Sequence, residues 1–335
     1  MRPDVPFDNP PPPGAPSPWG PPADAARRLA ARHPGRVAVN APLAPWTTLR
    51  IGGPAALLCR ASNPGQVTEF LEFADRHALP VLVLGGGSNL LVDDRGFAGL
   101  VLHPDLTGYA REGEVVTAGA GWPLDRLVAH TLADGLTGLE FASGIPGTLG
   151  GAVAGNAGCY GREIGELVES VTLLDRDGRT RQWGRDDLGF GYRRSRLQRD
   201  DGVILAVRLR LARGDTAAAA AERAAHLADR RRKHPVRLPC AGSYFRNLPP
   251  AAPGGRRRAA GALLEAVGAK RLRCGDAGVY HKHANIIVNR GRARARDVLR
   301  LAAAMREKVR ERFGVELCEE VRFVPWHGGF RTISG

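Results

Sequence analysis

The chain has 335 residues, 43% hydrophobic and 24% charged, a globular composition long enough for two or three domains. No apolar run approaches the ~18 residues of a bilayer-spanning helix, and no basic stretch followed by an apolar one opens the chain, so neither an integral membrane protein nor a secreted one is expected. The formal net charge of +14 points, taken alone, to a polyanionic partner.

Residues 1–22 are dominated by Pro and small side chains and cannot bury enough apolar area to offset ordering, so a disordered tail is expected there. From Val37 the sequence is globular. Val67, Phe70, Leu71 and Ala74 recur at helical spacing over Gln66–Arg76. Val81–Leu84 reads as a short buried strand running into a glycine triplet, and Gly99–Leu102 as a second strand. Val115–Ala118 predicts a strand, and Asp125–Ala133 a helix. Val168–Asp175 and Thr180–Trp183, joined by Asp177-Gly178, predict a hairpin. Val203–Leu211 alternates with a period of two, Thr216–Arg231 is an Ala-rich helix, and Asp297–Phe313 is a helix stopped by Gly314. Strands and helices mix without regular alternation, so the fold class is α+β rather than a doubly wound sheet.

Two glycine-rich segments carry a chemical signal. Gly85-Gly86-Gly87-Ser88-Asn89-Leu90-Leu91 follows a strand directly, and glycines of this kind let backbone N–H groups cradle phosphate oxygens. Neither a Walker lysine nor a dinucleotide fingerprint accompanies it, and by itself it is equally a structural turn. The second segment, Ser143 to Gly158 (SGIPGTLGGAVAGNAG), is too rich in glycine to fill a core and reads as backbone wrapped against a flat or anionic ligand. Two such loops in one half of the chain point to a large cofactor with a pyrophosphate. The five cysteines are odd in number and form no CxxC pair, so no disulfide framework or zinc ribbon is expected, and a reduced, cytoplasmic setting is the default. His281 and His283 are spaced poorly for chelation, so no metal site is expected.

These loops, together with Thr47–Ala55, Phe190–Ser195, Gly242–Asn247, Lys282–Asn285 and Leu317–Val321, resemble in content and order the UDP-N-acetylenolpyruvoylglucosamine reductase (MurB) family, from about Asn40 to Val324. The resemblance implies a two-lobed FAD-binding portion of the vanillyl-alcohol-oxidase type at about 36–104 and 105–213, and an α+β substrate domain at 214–325. The short interval between Leu211 and Ser243 is similar to the family subtype lacking an extra substrate-closing loop.

The activity so implied is NADPH-dependent reduction of an enolpyruvyl ether on a UDP-sugar, with non-covalent FAD, in peptidoglycan precursor synthesis. Carried over by position, Ser243 is the proton donor, Arg193 the cation for the enolpyruvyl carboxylate and Glu320 the catalytic glutamate, protonated or paired with a cation or serine, with adjacent Glu319 the alternative. In an extended segment those two glutamates face opposite sides, so only one is expected to point inward. The cofactor set is Gly85, Gly86, Gly87, Ser88, Asn89, Leu90, Ser143, Gly144, Ile145, Pro146, Gly147, Gly151, Ala152, Asn156 and Gly158. Tyr192, Lys233, Asn247 and His283 fall at substrate positions, although Tyr192 reads equally as a packing residue and Lys233 as one more charge at a basic helix end. The chain departs from the family pattern at Leu248, Cys318 and Glu319.

The implied partner is a small-molecule UDP-sugar bound by a monomer, with neither nucleic acid nor membrane. The charge fits that reading. Residues 1–222 hold 23 Lys+Arg against 25 Asp+Glu, whereas 223–335 hold 25 against 9, so the excess lies in the implied substrate domain. Only a few of those cations can touch a ligand, and Arg256-Arg257-Arg258 reads as solvated surface. The alternatives are another flavin oxidoreductase of the same fold, a catalytically idle relative, and a basic nucleic-acid-binding protein. For the last, the helix-turn-helix, zinc or Arg-aromatic signatures are missing.

Overall fold

A computed structural model describes residues 20–328 except 176, 200–201, 236, 251 and 253–254, so all but the last three residues of the Pro-rich tail lie outside the described part. The first helix, α1 (Ala23–Arg32), starts immediately after Pro22 and buries Ala25, Ala26 and Leu29. It covers a four-stranded sheet ordered Val37–Pro42, Pro54–Ala61, Phe97–Pro104, Val81–Val83. Helix α2 (Pro64–Arg76) begins two residues before Gln66 because the Asn63 side chain accepts from the Gln66 amide and Pro64 occupies the first turn. Val81–Val83 forms, but at the sheet edge: only Leu82 is buried, while Val81 and Val83 are 37% and 38% exposed. The run that reads as a buried strand is therefore half-exposed.

The second sheet is antiparallel, ordered Thr180–Gly184, Val168–Leu174, Val203–Arg210, Val115–Gly119, Tyr109–Glu112. Val203, Leu205, Val207 and Leu209 are all buried, as the alternation requires. Helices α3 (Leu124–Ala133) and α4 (Leu149–Ala154) close this core. Helix α4 corrects the reading of the second glycine-rich segment. Thr148 caps it by accepting from the Gly151 amide, and Leu149 and Val153 are fully buried, so the middle of a segment expected to wrap a ligand is a short helix packed into the core.

Helix α5 (Thr216–Lys233), capped by Asp215, leads to an antiparallel sheet ordered Cys240–Ser243, His283–Asn289, Ala277–Tyr280, Arg273–Cys274. Helices α6 (Ala260–Ala266) and α7 (Ala295–Phe313) pack on it. Helix α7 starts two residues before Asp297 because Asp94, from the first sheet's side, accepts from the Ala295 and Arg296 amides at 2.7 and 3.3 Å. The chain then returns. Arg322–Val324 pairs in parallel with Leu90–Val92, and Leu49, Ile51 and Leu91 enter the core built around α7. This return strand lays residues 317–321 beside the first glycine loop.

Candidate active site

The two glycine-rich segments meet backbone to backbone. A Cβ on Gly86 would sit 2.6 Å from Gly147 Cα, and one on Gly147 would sit 2.9 Å from Ser88 Oγ. Gly87, at φ +59°, would place a Cβ 2.0 Å from the Trp46 carbonyl, and its own carbonyl accepts from the Thr48 amide at 3.1 Å. These glycines are needed first for protein against protein. Ser88 and Asn89 follow the glycine triplet directly. Several expected cofactor residues are engaged internally. Ser143 Oγ donates to the Glu140 carbonyl (2.6 Å), the Gly144 amide donates to Asp125, and Leu227 and Arg230 of α5 pack against Gly144. The Asn156 side chain donates to Glu163 and to the Gly191 carbonyl and accepts from the Gly165 amide.

That last set supports the turn carrying Arg193. Gly191 and Arg194 exchange two backbone hydrogen bonds of 2.9 Å, leaving Tyr192 and Arg193 at the tip of a two-residue turn. Arg193 adopts φ +54°, a conformation that costs a non-glycine residue about 1 kcal/mol. From there its Nε donates to Glu320 Oε1 at 2.9 Å and its Nη2 to the Gly158 carbonyl at 2.8 Å. Gly158 has no side chain to obstruct this: a Cβ there would approach Arg193 Nη1 to 3.2 Å.

Glu320 is held by its backbone. Its amide donates to the Tyr244 carbonyl (2.7 Å), and its carbonyl accepts from Asn89 Nδ2 (3.1 Å), tying it at once to the Ser243 segment and to the glycine loop. Phe245 pairs with Glu319 and the Arg246 amide donates to the Cys318 carbonyl, so residues 243–246 run alongside 318–321. Ser243 itself ends a strand, after Gly242 at φ +74° and opposite Ile286. Burial raises the Glu320 carboxyl above its ordinary range, with Arg193 and then Arg246 pulling it back. Arg246 and Arg322 are two cations that sequence reasoning missed. Arg246 Nε is buried with no hydrogen-bond partner among the described residues, and burial together with Arg246 lowers the Arg322 guanidinium. Arg246 lies inside the motif that supplied Ser243 and Asn247, so its charge was legible but unused.

The glutamates correct one expectation. They do face opposite ways, yet both are withdrawn from solvent: Glu319 is 3% exposed on the α7 side, while the Glu320 side chain faces Arg193. A second correction concerns Arg257. It stacks on the Tyr192 ring, 3.8 Å from its centroid, and donates to the Asn247 carbonyl at 3.0 Å, so it is docked at the site's edge rather than simply solvated. Tyr192 Oη accepts from the Asn247 amide at 3.3 Å, and Asn247 Oδ1 accepts from the Ala260 amide at 3.2 Å. Lys233 is exposed at the end of α5 and pairs with Asp229 at 2.8 Å. His283 and His234 lie with ring centroids 5.9 Å apart, and burial pushes both below the usual imidazole value, His234 to about 4. Among the described residues no cluster of three or more His, Cys, Asp or Glu is arranged to hold a metal, and no helix is long and apolar enough to cross a membrane.

Comparison with known proteins bears on this arrangement. Residues 234–324 match the model of the C-terminal domain of UDP-N-acetylenolpyruvoylglucosamine reductase, and residues 55–184 match that of an FAD binding domain. A UDP-N-acetylenolpyruvoylglucosamine reductase of Symbiobacterium thermophilum is 42% identical over 302 residues, covering 88% of this chain and 95% of the relative. The chain belongs to the UDP-N-acetylenolpyruvoylglucosamine reductase family. An Anaeromyxobacter reductase is 44% identical over 304 residues, covering 90% of this chain and 93% of the relative. The crystal structure of the Thermus caldophilus enzyme aligns with a TM-score of 0.72 at 35% identity, over 87% of this chain and 98% of that one.

The family's FAD-binding fold is thus present, α+β throughout. The converging glycine loops suit a pyrophosphate in their glycine content and in the Ser88 hydroxyl beside it, while the Asn89 side chain is taken up by the Glu320 carbonyl. The direct partners of the Arg193–Glu320 pair named above, Gly158, Tyr244 and Asn89, come from segments that the family motifs include.

Proposed function

We propose that this protein reduces the enolpyruvyl ether of UDP-N-acetylglucosamine enolpyruvate to the lactyl ether of UDP-N-acetylmuramate with NADPH, a cytoplasmic step of peptidoglycan precursor synthesis. The observation that carries the reading is the Arg193–Glu320 pair, 2.9 Å apart and half-buried, with Arg246 close enough to act on the same carboxyl. One carboxylic acid among guanidinium groups suits a substrate that carries a carboxylate and gathers further negative charge beside it. The Gly85–Leu90 and Ser143–Gly158 segments would hold FAD, which would supply the hydride transfer between NADPH and the substrate.

The protein's own residues then have separable tasks. Hydride reaching the β-carbon leaves negative charge on the α-carbon and its carboxylate. Arg193, with Arg246 nearby, stabilises that charge, an effect worth about 3 kcal/mol per donor. Ser243 donates the proton that the α-carbon needs, a contribution of roughly 10²–10⁴ in rate. An ionised carboxylate at Glu320 would repel the enolate, and burial favours its protonated form. Tyr192, Asn247, Lys233 and His283 line the approach of the sugar nucleotide. The division near residues 104 and 213 into two flavin lobes and a substrate domain belongs to the same proposal. The test is product analysis. Incubation with NADPH and the enolpyruvyl sugar nucleotide should yield a nucleotide heavier by two hydrogens, and unchanged substrate would refute the assignment.

A further inference from the structure

The carboxyl of Glu319 is out of place in a protein core. The residue is 3% exposed, and its Oε2 has no hydrogen-bond partner among the described residues. Its Oε1 lies 3.9 Å from Arg306 Nη1 of α7, beyond hydrogen-bond reach, and Arg306 also faces Glu316 at 3.4 Å. Unsatisfied buried polar groups are rare enough to call for a reason. Stability does not supply one, because an apolar residue of similar volume is often at least as stable as a buried charged pair.

The surroundings of Glu319 leave it two states. Arg306 faces it from α7, Tyr244 from the neighbouring segment, and Glu316 lies beyond Arg306. Burial raises the Glu319 carboxyl to about 7, with Arg306 pulling the other way. Burial also pushes the Tyr244 phenol far above its ordinary value, so it stays neutral throughout. The next residue is Glu320, whose amide is bonded to the Tyr244 carbonyl at 2.7 Å and whose carboxyl meets Arg193 at 2.9 Å.

We propose that Glu319 is a positioning residue. In its neutral form it leaves the 318–321 segment seated with Glu320 against Arg193, and in its ionised form it is drawn to Arg306 and pulls Glu320 out of register. Shortening the 3.9 Å gap to the ~2.8 Å of a charge-assisted bond moves the segment about 1 Å. A displacement of that size near reacting groups costs roughly 10²-fold in rate. The rate consequence rests on the proposed function; the ionisation does not.

The test compares the FAD-loaded wild type with Glu319→Gln, which is nearly isosteric and cannot ionise. A carboxyl raised in the folded state binds an extra proton there, so its stabilising effect is lost as pH climbs from the ordinary carboxylate range through about 7. Between pH 5 and 8.5 the wild-type Tm should therefore fall by about 3 °C or more relative to the variant. The enolpyruvyl-dependent rate of the wild type should drop ten- to a hundredfold from pH 6 to 8.5, beyond any limb the two proteins share, whereas the variant keeps its pH 6 rate. Glu319→Met, which fills the volume without a charge, should show the same flat profile. Superposed pH–rate profiles, or a Tm gap that does not change with pH, would overturn the positioning role alone. Absence of enolpyruvyl-dependent turnover in every protein at every pH would overturn the functional reading and the positioning role with it.

Discussion

Arg193→Ala isolates the electrostatic contribution of one guanidinium. The alanine retains a Cβ at φ +54°, so the backbone strain of the turn is unchanged and the substitution removes only the side chain's contacts. Those include the 2.9 Å bond to Glu320, the 2.8 Å bond to the Gly158 carbonyl and the approach of the guanidinium to the Tyr192 ring, 5.2 Å from its centroid. Loss of one donor aimed at developing charge costs about 3 kcal/mol, or on the order of 10² in rate. Stopped-flow absorbance separates the halves of the reaction. Reduction by NADPH should proceed within about threefold of wild type, and oxidation by the enolpyruvyl sugar should slow about a hundredfold. Because Arg193 holds the Glu320 carboxyl down against burial, the variant's Glu320 limb should also move to higher pH. Arg193→Lys keeps the charge but not the fork that reaches two acceptors, and should recover only about a tenth of the rate. Oxidation slowed less than threefold, or reduction by NADPH slowed equally, would refute this role for Arg193.

Ser243→Ala should still let NADPH bleach the protein, while reoxidation by the enolpyruvyl sugar falls by roughly 10²–10⁴; unimpaired reoxidation would remove Ser243 from proton delivery. Gly87→Ala should yield protein that retains little FAD on gel filtration, because its Cβ would lie 2.0 Å from the Trp46 carbonyl; stoichiometric flavin would show that the loop tolerates the shift. Lys233→Ala should raise the KM for the sugar nucleotide several-fold with kcat little changed, and an unaltered KM would leave Lys233 to its pairing with Asp229.

Elements governed by local pattern were legible in the sequence. The 168–184 hairpin follows from an Asp-Gly turn after an apolar run, and the 203–211 strand from strict alternation. The glycine loops were legible as a pair because two such segments in one half of a chain need a common purpose. What remained hidden depends on distant partners. Nothing near Ala295 announces that Asp94 will cap α7, and nothing within Arg256-Arg257-Arg258 distinguishes Arg257, which finds Tyr192 only once the fold is closed. Asn156 reads as a ligand residue because it sits among glycines, yet its amide is spent on the turn beneath Arg193. The Glu319-Glu320 step obeys the two-fold alternation of an extended segment. That alternation cannot say that both sides are closed over, one by α7 and the other by the arginines of the site.

One anaerobic titration tests the proposed reaction most directly. The purified, yellow protein is reduced with NADPH until its flavin bands vanish, and UDP-N-acetylglucosamine enolpyruvate is then added. The bands should return with one equivalent of the sugar nucleotide, and UDP-N-acetylmuramate should form in the same amount. A protein that stays bleached, or that cannot be loaded with FAD at all, would contradict it.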